Sequence, residues 1–511
     1  MNSIYKGSMT GLAQAFLLAV AASAYGNNAI AASATGNALE YASVSELSAQ
    51  MERNELTSVA LVKHLQTRIE TLDKQGPAIS AIMELNPEAI EIATALDKER
   101  EEGNVRGPLH GIPVLLKDNV DTADRMQTSA GSLAMVGQPA ANDAFIVKQL
   151  RDAGAVILGK TNMSEWAYVR ETGLPHGWSG RGGQGKNPHV LGAEICGSSS
   201  GSAAGVAAGF APLAIGTETN GSITCPASAN GVVGVKPTLG LFSRSGIIPI
   251  TRLQDTAGAM TRTVRDAALM FNALQGIDAA DSATSDAPVG VDYTAMLSTD
   301  ALQGKRIGYA TEYVGPGGPA LRPGIEFLTA MATLEEQGAT LVPLTVELPD
   351  IGDYFSVLMA GMKHELPEYL ANRSGLSIQT LQELIDFNEL NPGSEGYGQQ
   401  LLKDINELDM SRERAAELFA VLNAGFQQAI DEQLTAHNLD AMVAEADGFA
   451  QFSVAVAGYP AITLPSGING DDLPTSLFFY GTRWSEPKLL AMAYSYEQAS
   501  LELQHPTFKQ Q

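Results

Sequence analysis

The sequence contains little cysteine: two residues, Cys196 and Cys225, in a chain of 511. Two cysteines are too few for a framework of disulfides, so a buried hydrophobic core must hold the fold together. We predict that both are free, buried thiols, which behave as small hydrophobes, although an oxidising compartment would allow one bridge between them.

Positive charge is also scarce, with 32 Lys and Arg against 57 Asp and Glu and a formal net charge of −25. A surface of this sign repels a phosphate backbone, so we expect no nucleic-acid partner. Charged residues of both signs make up only 17% of the chain, whereas hydrophobic residues make up 45%. This composition is typical of a well-packed globular enzyme and excludes a disordered chain.

Long apolar runs are missing from the sequence except at its N-terminus. Residues 11–26, GLAQAFLLAVAASAYG, are continuously apolar or small, and Lys6 is the only charged residue among the first 39. The run is shorter than the roughly 20 residues of a membrane-spanning helix, and small residues follow it. We predict a signal peptide over residues 1–31, cleaved near Ala31 or Ala34, and hence a periplasmic or secreted protein without a stable membrane span. An uncleaved anchor or a buried helix of a cytosolic protein is the alternative.

Helical and strand patterns alternate along the rest of the chain. Apolar residues recur at three- and four-residue spacing from Val44 to about Glu102, which predicts helices there. Short branched apolar runs at 111–119 and 155–162 predict two strands, and the helical pattern between them ends at Gly154. The run from 165 to 200, rich in Gly, Ser, Trp and Pro, predicts a long ordered loop.

The alternation returns in the second half of the sequence, with strands predicted at 306–312 and 440–446 and a helix followed by a strand within 324–346. The stretch from about 350 to 436 is largely helical, with a break at 391–398, and we expect it to shape a substrate pocket. Strands alternating with helices predict an α/β fold, with a mixed central β-sheet flanked by α-helices.

One glycine-rich motif has the spacing of a phosphate-binding loop. It is GRGGQGK, residues 180–186, but no strand precedes it and Pro188 interrupts any helix after it. We therefore expect no nucleotide at this motif.

A second motif, GSSSG at 197–201, could make Ser199 the nucleophile of a His-dependent serine esterase, with His437 or His505 as its base. The segment before it contains proline, glycine and glutamate and makes a poor strand. Neither histidine lies in a recognisable turn, so this esterase is kept as an alternative only.

Lys117 is the other candidate base for a serine of this region. It follows the apolar run GIPVLL, which carries its amine into a dry interior. Desolvation there lowers the pKa of a lysine by several units, and a neutral amine can act as a general base at physiological pH. A lysine that reaches the surface or pairs with Asp118 is the structural alternative.

Three motifs follow one another in the sequence: LHGIPVLLKDN at 109–119, CGSSSGSAAGVAAG at 196–209 and GTETNGSITCPAS at 216–228. In this order and spacing they resemble the amidase signature family, whose catalytic set is Ser-Ser-Lys. The resemblance implies the amidase-signature fold over residues 40–511, with the helical subregion at about 350–436 inside it.

The resemblance implies a role for each matching position. The catalytic set falls on Lys117 as base, Ser198 as bridging serine and Ser222 as nucleophile. The peptide bond that enters Ser198 would be cis. The backbone N–H groups that bind the oxyanion would be those of Thr219, Asn220, Gly221 and Ser222.

Four positions depart from the family pattern: Cys196 and Ser200 stand where the family usually has glycines beside the serine pair, and Asn220 and Thr224 are the other two. Asn220 stands where the family usually has a glycine, which affects the oxyanion geometry. Thr224 stands where the subunits of the tRNA-dependent glutamine amidotransferase carry an arginine, and this argues against transfer to charged tRNA.

The resemblance implies hydrolysis of a carboxamide without cofactor or metal. The stretches WSGRGGQGKNP, NGSITCP and GLFSRSGIIPI are similar to those of bacterial peptide amidases, which remove ammonia from C-terminally amidated peptides. We therefore expect a peptide or small-molecule amide as substrate. An aryl- or acyl-amide hydrolase of the same family is one alternative, and a catalytically silent binding protein is another.

Overall fold

The structure, a computed structural model, describes residues 39–314, 323–392, 397–446 and 448–510. The predicted signal peptide over residues 1–31 lies outside the described residues. Glu40–Gln511 form one compact unit. Within the described ranges, every helix is too short or too polar to traverse a lipid bilayer.

Eleven strands in these ranges form one mixed sheet, in the order β1-β3-β2-β6-β8-β7-β12-β13-β11-β9-β10, and β4 and β5 form a separate hairpin. The strands are β1 (Ile82–Leu85), β2 (Pro113–Lys117), β3 (Val156–Thr161), β4 (Trp178–Ser179), β5 (Gly183–Gln184), β6 (Leu213–Glu218), β7 (Val233–Lys236), β8 (Thr256–Thr261), β9 (Arg306–Val314), β10 (Thr340–Glu347), β11 (Ala441–Glu445), β12 (Ala461–Ile468) and β13 (Pro474–Tyr480). β2 is parallel to both β3 and β6, whereas β8 is antiparallel to β6.

The α-helices of the described ranges flank this sheet. They are α1 (Val44–Glu52), α2 (Ser58–Ile69), α3 (Ala89–Glu101), α4 (Phe145–Asp152), α5 (Ser200–Ala207), α6 (Thr224–Ala229), α7 (Val264–Leu274), α8 (Ile325–Glu336), α9 (Tyr354–Ala371), α10 (Leu381–Leu390), α11 (Gln400–Glu407), α12 (Arg412–Ala436), α13 (Phe449–Ala457) and α14 (Glu486–Ser500). The prediction of an α/β fold with a mixed sheet between helices is confirmed.

The predicted elements around the sheet also form, with one exception. β2, β3, β9, β10 and β11 lie at the predicted places, as do α4 and the helices α9 to α12 of the second half. The helical pattern predicted from Val44 to about Glu102 is wrong at β1, which pairs antiparallel with β3 at the edge of the sheet. Helices lie on both sides of this four-residue strand, and their apolar spacing masks it.

Burial in the core positions the elements that matter for the site. All residues of β2, β3 and β6 are buried, as expected for central strands covered on both faces. α5 is buried along its whole length and is built from Ser, Gly, Ala and Val, whose small side chains let it approach the sheet. The chain therefore enters and leaves α5 within the interior.

Candidate functional site

The three motifs of the sequence meet at one edge of the sheet. β2 ends at Lys117 and its parallel neighbour β6 ends at Glu218, with Leu116 paired to Ile215. The carboxyl ends of parallel neighbours lie at the same edge, so the loop after β6 that carries Ser222 begins beside Lys117. Ser198 comes from the segment that leads into α5.

The amine of Lys117 is fully buried and makes three short polar contacts. Its Nζ lies 2.7 Å from Ser198 Oγ, 2.9 Å from Thr217 Oγ1 and 3.0 Å from the Thr217 carbonyl oxygen. Asp118, the structural alternative for a partner, instead faces Arg181 at 3.2 Å. Among the described residues, the lysine therefore has no carboxylate in contact, and its polar neighbours are hydroxyl and carbonyl oxygens.

Burial lowers the pKa of Lys117 to about 7 because the interior disfavours the charged amine. The negative charges of Asp255 and Glu218 act in the opposite direction and raise this pKa. Near neutral pH, a large fraction of the amine is consequently uncharged, with a lone pair available to accept a proton.

Ser198 and Ser222 lie on adjoining segments. The peptide bond between Gly197 and Ser198 is cis, as the resemblance implied. The N–H of Ser199 donates to the Ser222 carbonyl at 3.1 Å, which ties the two serine-bearing segments together. In the part of the chain that the structure describes, the hydroxyls of Ser198 and Ser222 form no direct hydrogen bond with each other.

The segment from Thr219 to Ser222 connects β6 to α6. Gly221 has a φ of +79°, which takes the turn through the left-handed region at the residue that tolerates it. Within the described residues, the N–H groups of Asn220, Gly221 and Ser222 donate to no other group of the chain. They are therefore available as donors to a ligand.

Glu218 closes the turn that follows Ser222. Its Oε2 accepts from the N–H of Ile223 at 2.7 Å and from that of Thr224 at 3.0 Å. A buried carboxylate on these two free amides fixes the end of the turn next to the start of α6, in the manner of a helix cap.

Cys196 and Cys225 form a disulfide, with their Cα atoms 5.9 Å apart. The prediction of two free thiols is wrong, and the bridge that an oxidising compartment would allow is the one formed. Cys196 lies two residues before Ser198, and Cys225 lies three residues after Ser222. Because the two serine segments adjoin, the cysteines that flank them are brought together.

The residues of the esterase alternative lie apart from one another. The Ser199 hydroxyl donates to the Thr217 carbonyl at 3.0 Å and accepts from the Thr217 N–H at 3.1 Å. His437 is the residue after α12 and is exposed, and His505 stacks on Tyr41 with ring centroids 3.9 Å apart. Ser199 therefore has a structural hydrogen-bonding role, and its hydroxyl contacts no histidine in the ranges that the structure describes.

The phosphate-loop motif also lacks the geometry of such a loop. Its lysine, Lys186, donates to the Pro77 carbonyl at 3.0 Å, and the next helix of the described residues, α5, begins only at Ser200. As for metals, the described ranges contain no group of three or more His, Cys, Asp or Glu side chains that could hold an ion.

Several groups that hold the site were not predicted. Thr217 binds the amine of Lys117, and Asp255 accepts a hydrogen bond from the Thr219 hydroxyl. Thr217 lies within the motif GTETNGS, where its position on a strand beside Lys117 was a usable signal. Asp255 is 36 residues beyond Thr219, and nothing in the local sequence indicates their contact.

The comparisons with known proteins cover nearly the whole chain. The sequence matches the family model Amidase over residues 60–490. A probable amidase of Arabidopsis thaliana is 37% identical over 481 residues, which cover 92% of this chain and 92% of that protein. The native peptide amidase of Stenotrophomonas maltophilia has a TM-score of 0.87 and 44% identity, and the match covers 92% of this chain and 100% of that one. An amidase family protein of Bacillus anthracis also has a TM-score of 0.87, at 36% identity, over 92% of this chain and 93% of that one.

Proposed function

The chain belongs to the amidase family and is a hydrolase of carbon–nitrogen amide bonds, and from this premise we propose that it releases ammonia from the C-terminal amide of peptides through Lys117, Ser198 and Ser222. The observation that carries the proposed mechanism is the buried amine of Lys117, 2.7 Å from the Ser198 hydroxyl and with a pKa lowered to about 7. A base of this strength is matched to proton transfer near neutral pH.

The three contacts of Lys117 suit a neutral amine. Such an amine has two N–H donors and one lone pair. The donors are satisfied by the carbonyl and the hydroxyl of Thr217, which leaves the lone pair directed at Ser198. Ser198 can then donate its proton to Lys117 while its oxygen accepts a proton from Ser222.

Acyl transfer follows from this relay. The Ser222 oxygen attacks the amide carbonyl carbon as its proton moves to Ser198, and the C–N bond breaks when the leaving nitrogen receives a proton from the same relay. Water then attacks the acyl-enzyme, gives its proton to the relay and releases the carboxylic acid. The Ser198 and Ser222 hydroxyls must approach each other for the first transfer, and such catalytic hydrogen bonds commonly shorten when substrate binds.

The N–H groups of Thr219, Asn220, Gly221 and Ser222 are the proposed donors to the oxyanion. The N–H groups of Asn220, Gly221 and Ser222 have no other partner among the described residues. They belong to one turn, which is held at its start by the Thr219–Asp255 contact and at its end by Glu218. A single donor of this kind typically contributes about 3 kcal/mol to transition-state stabilisation.

The pH dependence of kcat/KM should report the Lys117 amine. We expect the rate to rise with pH to a plateau, with a midpoint near 7, because only the unprotonated amine accepts the Ser198 proton. Asp255→Asn should move this midpoint to lower pH, since it removes a negative charge that raises the pKa of Lys117. A pH profile without an inflection between 6 and 8, or a midpoint unmoved in the Asp255→Asn protein, would contradict this assignment of the base.

A substrate panel tests the peptide-amide proposal. We expect ammonia release from C-terminally amidated peptides with kcat/KM at least about ten-fold above that for free amino-acid amides and anilides, because remote contacts contribute binding energy in the transition state. The 44% identity to a peptide amidase supports this order. The same peptides with a C-terminal methyl ester and with a free acid serve as matched controls. Turnover of anilides alone would exclude peptide amides and leave an aryl-amide hydrolase.

The proposed compartment is the periplasm or the exterior of the cell. The Cys196–Cys225 disulfide supports export, because such bonds persist in oxidising compartments and are rare in the cytosol. Fractionation of cells that express the full chain, with N-terminal sequencing of the product, tests it. Recovery of the uncleaved chain from the cytosol would exclude export.

A further inference from the structure

One face of helix α9 rests on the loop 250–255. Tyr354, Gly361 and Glu365 lie on this face, because seven and eleven residues correspond to about two and three helical turns. A Cβ added to Gly361 would lie 2.3 Å from the Thr251 Cβ, so the helix backbone approaches that loop directly. Three turns from Tyr354, the carboxylate of Glu365 accepts from the Arg252 N–H at 2.8 Å.

The same face of α9 reaches the segment of the proposed oxyanion donors. Tyr354 is only 1% exposed. Its hydroxyl accepts hydrogen bonds from Asn220 Nδ2 at 2.8 Å and from Gln254 Nε2 at 2.8 Å. Gln254 Nε2 also donates to the Thr219 carbonyl at 2.6 Å. The two residues before Gly221 are therefore held by side chains of α9 and of the adjoining loop.

The contact at the Thr219 carbonyl sets the direction of an N–H group. The carbonyl of Thr219 and the N–H of Asn220 belong to one planar peptide unit and point in opposite directions when it is trans. Since Gln254 holds the carbonyl toward the buried loop, the N–H of Asn220 is directed away from the loop. The hydrogen bond from Asn220 Nδ2 to the Tyr354 hydroxyl fixes the side chain of the same residue.

We propose that Tyr354, Gln254 and the side-chain amide of Asn220 form a positioning network that aims the Asn220 N–H at the developing oxyanion. The network rests on the proposed function only in requiring an oxyanion site next to Ser222. At the position where the family usually has glycine, the Asn220 side chain thus makes a hydrogen bond that a glycine could not make. Helix α9 is in this way connected to the segment that carries Ser222.

A double-mutant cycle between Tyr354→Phe and Asn220→Ala tests the network. We expect each single variant to lower kcat about ten-fold with KM changed less than about two-fold, because a misaimed donor weakens transition-state binding and leaves ground-state binding intact. The double variant should lose little more than either single one, since both remove the same hydrogen bond. The assay uses whichever amide the wild-type protein hydrolyses fastest, so failure of the peptide-amide proposal leaves this test intact.

Tyr459→Phe is the matched control. It removes the hydrogen bond of 2.7 Å that the Tyr459 hydroxyl donates to Asp431 on α12, and kcat should stay within two-fold of wild type. The proposal is overturned if Tyr354→Phe keeps its kcat, if Tyr459→Phe loses as much, or if the double variant falls about a hundred-fold. Should Tyr354→Phe not fold, Asn220→Ala alone decides, because that side chain is only half-buried: an unchanged kcat overturns the network.

Discussion

Replacing Lys117 with methionine is expected to lower kcat by about 10³- to 10⁴-fold, the upper part of the range for loss of a general base. Among the described residues, only the Lys117 amine contacts the Ser198 hydroxyl. No neighbouring group can therefore accept the Ser198 proton in its place. Methionine is preferred to alanine because it fills most of the buried volume and leaves no charge behind. Steady-state ammonia release at pH 8, above the midpoint expected for Lys117, measures the effect.

Ser199→Ala is the informative comparison for this variant. It removes a hydroxyl that bonds the Thr217 backbone, and we expect a small loss of stability, about 1 kcal/mol, with most of the activity retained. The His-dependent esterase requires the reverse result: an inactive Ser199→Ala protein and an active Lys117→Met protein. Labelling of Ser222 by a fluorophosphonate in wild type, and its loss in Ser222→Ala, would also exclude a silent binding protein.

Loss of the Cys196–Cys225 disulfide is expected to destabilise the fold by about 3 to 4 kcal/mol in the chain-entropy account, given a separation of 29 residues. The bridge flanks the segments of Ser198 and Ser222. The protein that lacks it should therefore lose activity at a lower denaturant concentration than the one that unfolds the whole chain. Urea unfolding of wild type and of Cys196→Ser/Cys225→Ser, followed by fluorescence and by ammonia release, measures both effects.

Reducing agent provides the control for the disulfide. A thiol reductant should shift wild type toward the denaturation midpoint of the double-serine protein, because Cys225 is partly exposed and can be reached. The double-serine protein itself should not respond. Equal midpoints for the double-serine protein and for wild type without reductant would show that the bridge contributes nothing to stability.

The sequence predicts the site's local features better than its long-range ones. The burial of Lys117 follows from the apolar run before it and is confirmed. The pairing of Cys196 with Cys225 was not predicted, because a separation of 29 residues carries no geometric information until the two serine segments are known to adjoin. The contact of Asn220 with Tyr354 joins residues 134 positions apart and depends on how α9 packs.

The secondary structure shows the same limit. Strands β2 and β3 are short apolar runs with branched residues, whose length favours a strand over a helix, and they were predicted. β1 has only four residues, of which Ile82 alone is buried, so its pattern is too short to distinguish it from the helices beside it. Tertiary pairing with β3, not local preference, makes it a strand.

The pairing of β2 with β6 distinguishes the contacts that the backbone determines from those that depend on individual side chains. Lys117 and Thr217 meet because two parallel strands hold a single register, and a slip of one residue would turn the amine to the opposite face of the sheet. Helix α9 is joined to this edge by the side chain of Tyr354, which a single substitution can exchange. Substitutions on α9 can therefore disturb the segment that holds Asn220, whereas the meeting of Lys117 with Thr217 depends on the backbone pairing alone.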